Sequence, residues 1–217
     1  MEEVFPGVYR LEQFLATKNL TPGLRVYNER LVKKDGVEYR TWDAYRSKLA
    51  GAIKKGLKTF PFKEGTKVLY LGASTGTTPS HVSDLVGPEG EVYAVEFSPQ
   101  SMKLLMKNCE ARENFIPIMA DANKPDGYSD VGTVDVVYQD VAQPNQDEIL
   151  IKNCDRFLKK GGIAMIAVKS QSIDVTKPPQ EVFDVFLKRM ESHFEVLEKL
   201  KLEPYDKDHL FVVLRKK

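Results

Sequence analysis

The sequence predicts an α/β protein in which a Rossmann-like, seven-stranded sheet follows a small β-rich domain. From about residue 65 onward, near-continuous apolar segments of strand length alternate with amphipathic helical segments, which is typical of a parallel sheet covered by helices on both faces. Before that point, turn signals separate short alternating segments, as in β-hairpins. The charge balance changes at the same place, since residues 1–56 carry 11 basic and 7 acidic side chains and the remaining 161 carry 21 and 24. We therefore predict two domains, 1–56 and 57–217.

Composition excludes several classes of protein. The 217 residues include 32 basic and 31 acidic side chains, and a net charge of +1 is too small to steer the chain to RNA at long range. The best apolar run, residues 162–168, is too short to cross a bilayer, and the acidic start of the chain lacks the apolar stretch of a signal peptide. Cys109 and Cys154 lie on apolar helical faces and are expected to be reduced core thiols. We expect a cytoplasmic protein without membrane contact.

The first domain is predicted to consist of hairpins and one helix. Two segments, VYRLEQFLATKNL and LRVYNERLVKKDGVEYRTW, have the pattern of short strands. Asp35-Gly36 is the clearest turn signal, and Thr21-Pro22-Gly23 is another. Asp43 is the predicted N-cap of a helix that extends to about Leu57. The residues expected on its apolar face are Tyr45, Leu49, Ala52 and Ile53.

The second domain is predicted to contain seven strands. Five of them are expected to be parallel because helical segments connect them, and the last two pair antiparallel across the turn at residues 204–208. In chain order the strands are TKVLYLGAS, EVYAVEFS, FIPIMAD, VDVVYQD, GIAMIAVKS, FEVLEKLKLE and HLFVVLR. This is the layout of class I methyltransferases, although a layout alone does not establish an activity.

The connecting helices have recognisable boundaries. One begins near Pro79, and the next has Ser98 as its N-cap with Pro99 at the first helical position. A third ends at Gly161-Gly162, and a long amphipathic helix extends from Pro179 to Phe194. The residues expected to face the core are Val82, Leu85 and Val86 in the first helix and Met102, Leu105, Met106 and Cys109 in the second.

The turn after the first of the seven strands, from Gly72 to Thr78, lies where a doubly wound sheet binds its ligand. Neither the pattern Gly-x-Gly-x-x-Gly nor a Walker phosphate loop is present. Glu96 ends the second strand, where a carboxylate accepts both ribose hydroxyls, and Phe97 is placed to stack on a base. Asp121 ends the third strand, where a carboxylate accepts from an exocyclic amine. Together these residues predict an adenosine pocket, and the missing phosphate cradle favours S-adenosylmethionine over a dinucleotide.

Asp140 ends the fourth strand and is the first candidate for chemistry. The following Val141-Ala142-Gln143 offers no second carboxylate, so no metal is expected, and the Pro-Pro-aromatic run of base-amine methyltransferases is absent. Lys169 ends the neighbouring fifth strand, where it is either a solvated cap or a group facing the same crevice as Asp140. Lys48 and His209 are weaker candidates, because each is also explained as an ordinary helix or hairpin residue.

Several long runs closely resemble the fibrillarin family over nearly the whole chain. They are RVYNER, TWDAYRSKLAG, VLYLGASTGTTPSHVSD, VYAVEFSP, DANKP, QDVAQPNQ and PYDKDH. The resemblance is to the archaeal members, which lack a Gly/Arg-rich N-terminal extension. It implies the catalytic subunit of a box C/D ribonucleoprotein, which methylates ribose 2′-hydroxyls during rRNA and tRNA processing. It also implies a Nop-type scaffold protein, a kink-turn-binding protein and a guide RNA that pairs with the target RNA.

The resemblance further implies the site residues. The catalytic set is Lys48, Asp140, Lys169 and His209. The contacts to S-adenosylmethionine, beside Gly72 in the turn, are Thr77, Thr78, Glu96, Phe97, Asp121, Ala122, Asp140, Val141, Ala142 and Gln143. Lys169 is expected to be the base or an orienting donor and to be held by Asp140. The other two catalytic residues would position the ribose and a flanking phosphate.

Other functions remain open from the residues alone. A standalone methyltransferase acting on a small molecule or free RNA would need its own substrate pocket or basic groove, and the net charge of +4 on residues 1–56 is weak evidence for one. A non-catalytic assembly subunit, with the pocket retained for folding, is disfavoured by the intact Lys-Asp-Lys-His set. A dehydrogenase is disfavoured by the missing dinucleotide pattern. Methylation of protein glutamine, known in eukaryotic members of the family, is a remote alternative.

Overall fold

A computed structural model describes all 217 residues of the chain. The first five strands are β1 (Glu2–Phe5), β2 (Val8–Leu11), β3 (Phe14–Lys18), β4 (Leu31–Lys34) and β5 (Val37–Trp42). They form an antiparallel sheet in the order β1-β2-β3-β5-β4. Asp35 and Gly36 connect β4 to β5 with φ of 51° and 78°, as a two-residue hairpin turn of type I′ requires. The predicted turn is therefore confirmed.

The segment before β4 is a loop, so the prediction that its LRVYNER half forms a strand was wrong. Residues 19–30 contain no strand. The carboxylate of Glu29 accepts hydrogen bonds from the backbone N–H of Val26 at 3.0 Å and of Tyr27 at 2.8 Å. These bonds satisfy the donors that a strand would have paired with a neighbour.

The helix after β5 is shorter than predicted. Helix α1 (Lys48–Lys54) begins after Ser47, whose hydroxyl accepts from the N–H of Ala50. Asp43 is not the N-cap, because its carboxylate instead accepts from the N–H of Tyr45 in a separate turn. Tyr45 consequently lies outside the helix with 68% of its surface exposed. The other three residues of the predicted apolar face are buried: Leu49, Ala52 and Ile53.

The second part of the chain is a seven-stranded mixed sheet with helices on both faces. Its strands are β6 (Lys67–Leu71), β7 (Glu91–Glu96), β8 (Phe115–Met119), β9 (Val134–Gln139), β10 (Leu158–Lys169), β11 (Phe194–Lys201) and β12 (His209–Lys216). Its helices are α2 (Thr77–Val86), α3 (Pro99–Cys109), α4 (Gln146–Phe157), α5 (Ser170–Ile173) and α6 (Pro179–Met190), with a 3₁₀ helix at Pro125–Val131. No helix combines the length and apolarity needed to cross a membrane.

The strand order is β11-β12-β10-β9-β6-β7-β8. The pairs from β10 to β8 are parallel, and β12 runs antiparallel to both β10 and β11. The predicted fold class is confirmed, including the final antiparallel hairpin. The strand order reverses between β6 and β9, and ligands bind at such a switch point beyond the carboxyl ends of the strands.

Three helix predictions were wrong in detail. Met106 of α3 is 55% exposed, whereas Met102, Leu105 and Cys109 are buried, because these three alone share the face toward the sheet. Helix α4 ends at Phe157, and Gly161-Gly162 lies inside β10, where the register with β9 shifts between Leu158 and Ile163. This glycine pair belongs to a bulge rather than to a helix terminus. Helix α6 ends at Met190, so Phe194 already belongs to β11.

The core lies on both faces of the large sheet. The five-stranded sheet, α2 and α3 cover one face, where a cluster of 29 buried residues extends from Val8 and Trp42 into the large sheet. Helices α4 and α6 cover the other face with a cluster of 23. Cys109 and Cys154 are buried and unpaired, and burial raises the pKa of the Cys109 thiol to about 12. The prediction of reduced core thiols is confirmed.

A buried charge network, formed by Glu29, Arg40, Asp84 and Arg112, joins the five-stranded sheet to helix α2. Arg40 lies 2.6 Å from Glu29 and 2.9 Å from Asp84, and Arg112 lies 2.6 Å from the other oxygen of Asp84. All four side chains are at most 1% exposed. Because unpaired charges are costly inside a protein, this network fixes how the small sheet sits on α2.

His81 of α2 lies beside this network and is held neutral. Its Nδ1 is 2.7 Å from the Thr17 hydroxyl, and its Nε2 is 2.6 Å from the Tyr27 hydroxyl. Burial, with the nearby charges of Arg40 and Arg112, lowers the pKa of His81 well below its ordinary value of 6.5. Unfolding therefore lets this ring take up a proton at mildly acidic pH.

We expect the free energy of unfolding to fall as the pH drops below the ordinary histidine pKa. Above that pH, the neutral His81 makes its full contribution to the free energy of unfolding. As the pH falls from there toward the lowered pKa of the folded state, this contribution decreases. Urea unfolding at about pH 7.5 and about pH 5.5 measures the change. The variant His81→Gln should be less stable at the higher pH and should lose less stability on acidification. His193→Gln, at an exposed position, should retain the full pH dependence. An unchanged dependence in His81→Gln would contradict this assignment.

Candidate active site

The turn that follows β6 depends on a glycine. Gly72 has φ of +81°, and a Cβ placed there would lie 2.8 Å from the carbonyl oxygen of Asp140 and 3.2 Å from a methyl of Val141. Both the backbone conformation and the close approach to the chain after β9 therefore exclude a side chain. This packing brings the ends of β6 and β9 together at the switch point of the sheet.

We expect Gly72→Ala to lower the free energy of unfolding by about 1–3 kcal/mol and to weaken binding of S-adenosylmethionine. The added methyl forces the Asp140 carbonyl away and imposes a disfavoured positive φ. Denaturant unfolding and calorimetric titration measure the two effects. Gly127→Ala is the matched control, since a Cβ there has no neighbour within 4 Å and φ is not positive. Equal behaviour of the two variants would contradict the role assigned to Gly72.

An open cleft of about 250 Å³ lies at the carboxyl ends of β6 to β9. It is lined by nine of the residues predicted to contact the cofactor: Gly72, Glu96, Phe97, Asp121, Ala122, Asp140, Val141, Ala142 and Gln143. The cleft also includes side chains that the sequence did not indicate, Ser74, Ser101, Asn123 and Ile149 among them. Of these four, only Ser74 lies in a segment that the sequence indicated, the glycine turn from Gly72 to Thr78.

Backbone hydrogen bonds fix the two carboxylates of this cleft. Glu96 accepts from the N–H of Ser74 and of Ser98, each at 2.7 Å, one to each oxygen. Asp121 uses only Oδ1 for its bonds to Asn123. The second oxygen of Asp121 therefore remains available to a ligand. Phe97 stands at the rim with 66% of its surface exposed.

Thr77 and Thr78 line a second cleft that adjoins the first. The two clefts share Gly72, Ser74 and Asp140. Helix α2 begins at Thr77, two residues before the predicted start, after Gly76 in a left-handed conformation. Thr78 is buried, and its hydroxyl donates to Ser47 Oγ at 3.0 Å, which links the glycine turn to the start of α1.

The second cleft holds a cluster of charges around Asp140. Lys169 Nζ lies 2.8 Å from Asp140 Oδ1 and donates to the Asp140 carbonyl at 3.0 Å. Lys48 Nζ lies 3.2 Å from Oδ2 of the same carboxylate. His209 faces Lys169 across the β10–β12 ladder and lies 3.0 Å from Asp206, which also contacts Lys48 at 3.5 Å. The structure thus brings all four predicted catalytic residues to one place.

Lys48 carries its proton at neutral pH. Burial alone would lower its pKa, but Asp140 and Asp206 more than offset this and raise the pKa above its ordinary value. The ammonium group is therefore a hydrogen-bond donor and a positive charge rather than a base. Only part of the cluster is open to solvent, since the side chains of Lys48, Asp140 and Lys169 are 21%, 16% and 15% exposed.

Asp206 is a member of the cluster that the sequence did not single out. It lies in the run PYDKDH, but its contact with Lys48 depends on the fold. We expect Asp206→Asn to lower kcat for methyl transfer about tenfold, the loss of one charge-assisted contact, without a change in affinity for S-adenosylmethionine. Asp208→Asn, in the same turn but without an ion pair, is the matched control. An unchanged kcat in Asp206→Asn would show that Asp206 does not contribute to methyl transfer.

These features together define a class of protein. The sheet with its antiparallel final hairpin, the glycine turn after β6 and the carboxylates at the ends of β7 and β8 are those of a class I S-adenosylmethionine-dependent methyltransferase. Within this class the chain belongs to the fibrillarin family, because the family model described as Fibrillarin matches residues 1–217.

Similarity to known proteins extends over the full chain. A "Fibrillarin-like rRNA/tRNA 2'-O-methyltransferase" from Thermococcus gammatolerans is 55% identical over 98% of this chain and 96% of its own. The structure of Aeropyrum pernix fibrillarin with natively bound S-adenosyl-L-methionine superposes with a TM-score of 0.88 and 46% identity, covering 95% of this chain and 92% of its own. A chain of a fibrillarin/Nop5p complex superposes with a TM-score of 0.92 and 43% identity over 100% of both.

Proposed function

We propose that this chain is the catalytic subunit of a box C/D ribonucleoprotein. It transfers the methyl group of S-adenosylmethionine to the ribose 2′-hydroxyl of rRNA and tRNA at positions that a guide RNA specifies. The observation that carries the proposal is the placement of Asp140, which lines both clefts and lies between Lys48 and Lys169. A group held in the first cleft therefore meets a group entering the second at a charged, partly enclosed point.

The first cleft fits S-adenosylmethionine. Glu96, fixed by two backbone donors, accepts from the ribose hydroxyls, and the free oxygen of Asp121 accepts from the adenine amine. Phe97 stacks on the base from the rim. Ala122 and the segment from Asp140 to Gln143 enclose the rest. Thr77 and Thr78, which line the adjoining second cleft, contact the end of the cofactor nearest α2. The Aeropyrum pernix relative carries this cofactor, which supports the assignment.

Bound S-adenosylmethionine supplies a methyl group already activated on a sulfonium. The protein must therefore align the 2′-oxygen with the methyl carbon and receive the hydroxyl proton. Lys169 already donates to the backbone carbonyl of Asp140, and its Nζ lies 2.8 Å from the Asp140 carboxylate, which favours the orienting-donor alternative over the base. Lys48, protonated at neutral pH, supports the same carboxylate.

Asp140 takes the hydroxyl proton as the new oxygen–carbon bond forms and the carbon–sulfur bond breaks. The attacking oxygen becomes acidic as it gains the methyl, so a carboxylate suffices as the acceptor. His209, whose Nδ1 lies 2.6 Å from the Lys207 carbonyl and 3.0 Å from Asp206, positions the ribose or its phosphate at the edge of the cleft.

The target sequence is selected outside this chain. A net charge of +1 gives little affinity for RNA in general, and a solved relative forms a complex with Nop5p. We propose a Nop-type scaffold protein, a kink-turn-binding protein and a guide RNA as partners that deliver the target. We also propose that residues 1–56 form a small domain that packs on the methyltransferase domain of residues 57–217.

A methyl-transfer assay with labelled S-adenosylmethionine tests this function. The chain is assayed alone and then with scaffold protein, kink-turn-binding protein, guide RNA and target RNA. Methylation of the target only in the full mixture is the expected result. Efficient methylation by the chain alone would establish a standalone enzyme instead. Cofactor binding without activity in either mixture would establish a non-catalytic subunit.

A further inference from the structure

Arg46 is a positive charge in the second cleft without a negative partner. Three basic side chains line this cleft: Arg46, Lys48 and Lys169. The two lysines are paired with carboxylates, whereas Arg46 forms no ion pair and is exposed. An uncompensated guanidinium beside a reaction centre attracts an anionic group of the incoming substrate.

The guanidinium is nevertheless held in one position. Its Nη1 donates to the backbone carbonyl of Tyr27 at 3.0 Å, and its central carbon lies 5.1 Å from the centre of the Tyr27 ring. A cation placed over an aromatic face is stabilised without being neutralised. Only one of the five N–H donors of arginine is used in this way, so several remain for a ligand.

Tyr27 is in turn anchored to the small sheet and to α2. Its hydroxyl lies 3.0 Å from the carbonyl oxygen of Thr41 and 2.6 Å from His81 Nε2. Its backbone N–H donates to Glu29 of the buried charge network. The loop at residues 19–30, which interrupts the N-terminal strands, therefore holds Tyr27 rigidly at the edge of the second cleft.

We propose that Arg46, held by Tyr27, binds a phosphate of the substrate RNA next to the ribose that receives the methyl group. This inference rests on the proposed function and deepens it, because it assigns the small N-terminal sheet a part in substrate binding. Arg46 is two residues from Lys48, so it lies along the path of a strand whose ribose reaches Asp140. Guanidinium groups bind phosphate oxygens through paired N–H donors, and such contacts set the register of a nucleic acid strand.

The test compares Arg46→Gln with Arg30→Gln in the assembled particle. Arg30 lies in the loop that carries Tyr27, but its exposed side chain turns toward Glu12. Arg46→Gln should raise KM for the target RNA about tenfold or more, the loss of a charge-assisted contact. The salt dependence of RNA binding should also become shallower by about one unit in log–log slope. Arg46→Lys should recover the salt dependence but only part of KM, since lysine lacks the paired donors.

Two further measurements separate this phosphate from other anions. A target RNA with a neutral methylphosphonate next to the target ribose should raise KM for the wild-type protein as much as Arg46→Gln does. Combining the variant with the modified RNA should raise KM little further. Affinity of the isolated chain for S-adenosylmethionine should be unchanged, and a loss there would assign Arg46 to the cofactor carboxylate instead. If Arg46→Gln behaves like Arg30→Gln in an active particle, the inference fails while the proposed function stands. An inactive wild-type particle would contradict the proposed function itself.

Discussion

Replacing Asp140 by asparagine is expected to lower kcat for methyl transfer by about 10²- to 10⁴-fold, the usual contribution of a positioned proton acceptor. The substitution retains the shape of the side chain but removes the group that receives the hydroxyl proton. It also leaves Lys48 and Lys169, which lie 3.2 Å and 2.8 Å from the carboxylate, facing a neutral amide. Both lysines would therefore lose an ion pair together with the acceptor, although Lys169 keeps the Asp140 backbone carbonyl and Lys48 keeps Asp206.

Single-turnover methylation in the reconstituted particle measures this effect without interference from product release. Asp126→Asn is a suitable control, because Asp126 is 87% exposed, pairs with Arg156 and lines neither cleft. The backbone bond from the Asp140 N–H to Leu71 does not depend on the side chain, so the fold should remain intact. A turnover rate in Asp140→Asn within a few-fold of the wild type would remove this residue from the chemistry.

Replacing Asp84 by asparagine is expected to lower the free energy of unfolding by about 3–5 kcal/mol, the usual result of removing one member of a buried ion pair. Asp84 pairs with Arg40 through one oxygen and with Arg112 through the other. It also accepts from the Thr17 hydroxyl and from the Leu20 N–H. The variant leaves two buried guanidinium groups with a single remaining carboxylate, Glu29.

Denaturant unfolding of the isolated chain measures the difference. The control is Glu195→Gln, because Glu195 pairs with Arg215 on the surface with 57% of its side chain exposed, and such pairs contribute about 0–1 kcal/mol. Since the network joins the small sheet to α2, exchange of backbone amide hydrogens in β3 and β5 should also accelerate in Asp84→Asn. Equal losses in the two variants would show that the network does not fix the small sheet.

Strong local signals explain why much of the fold was predictable. Each strand of the large sheet is an apolar run bounded by turn residues, and its type does not depend on distant partners. Ser98 caps α3 through its hydroxyl, with Pro99 in the first turn, as the sequence indicated. Asp35-Gly36 adopts the two positive φ angles that the hairpin requires. In these places local preference and global fold agree.

The wrong predictions occur where a long-range contact overrides a local pattern. The alternating residues before β4 form a loop because Glu29 binds their N–H groups and pairs with Arg40. Ser47 rather than Asp43 begins α1, and its hydroxyl is fixed by Thr78, 31 residues away. No local rule indicates either partner.

The candidate site likewise contains residues that the sequence predicts and residues that only the fold brings together. Residues at the ends of parallel strands were predictable, since the topology brings those ends to one edge, and nine of them line the first cleft. Asp206 was not, because its contact with Lys48 requires the turn of the final hairpin to fold over α1. Tyr27 and Arg46 were missed for the same reason, since 19 residues and a complete hairpin separate them.

The most direct test of guide-directed ribose methylation is to change the guide and locate the methyl group. Two guide RNAs whose pairing with one target is offset by a single nucleotide are assembled with this chain and its partners, and the product is mapped by nuclease digestion and mass spectrometry. We expect one methyl on a ribose 2′-oxygen, which moves by one nucleotide with the guide and disappears when that nucleotide is 2′-deoxy. A methyl on a base, or at a position that does not follow the guide, would contradict this expectation.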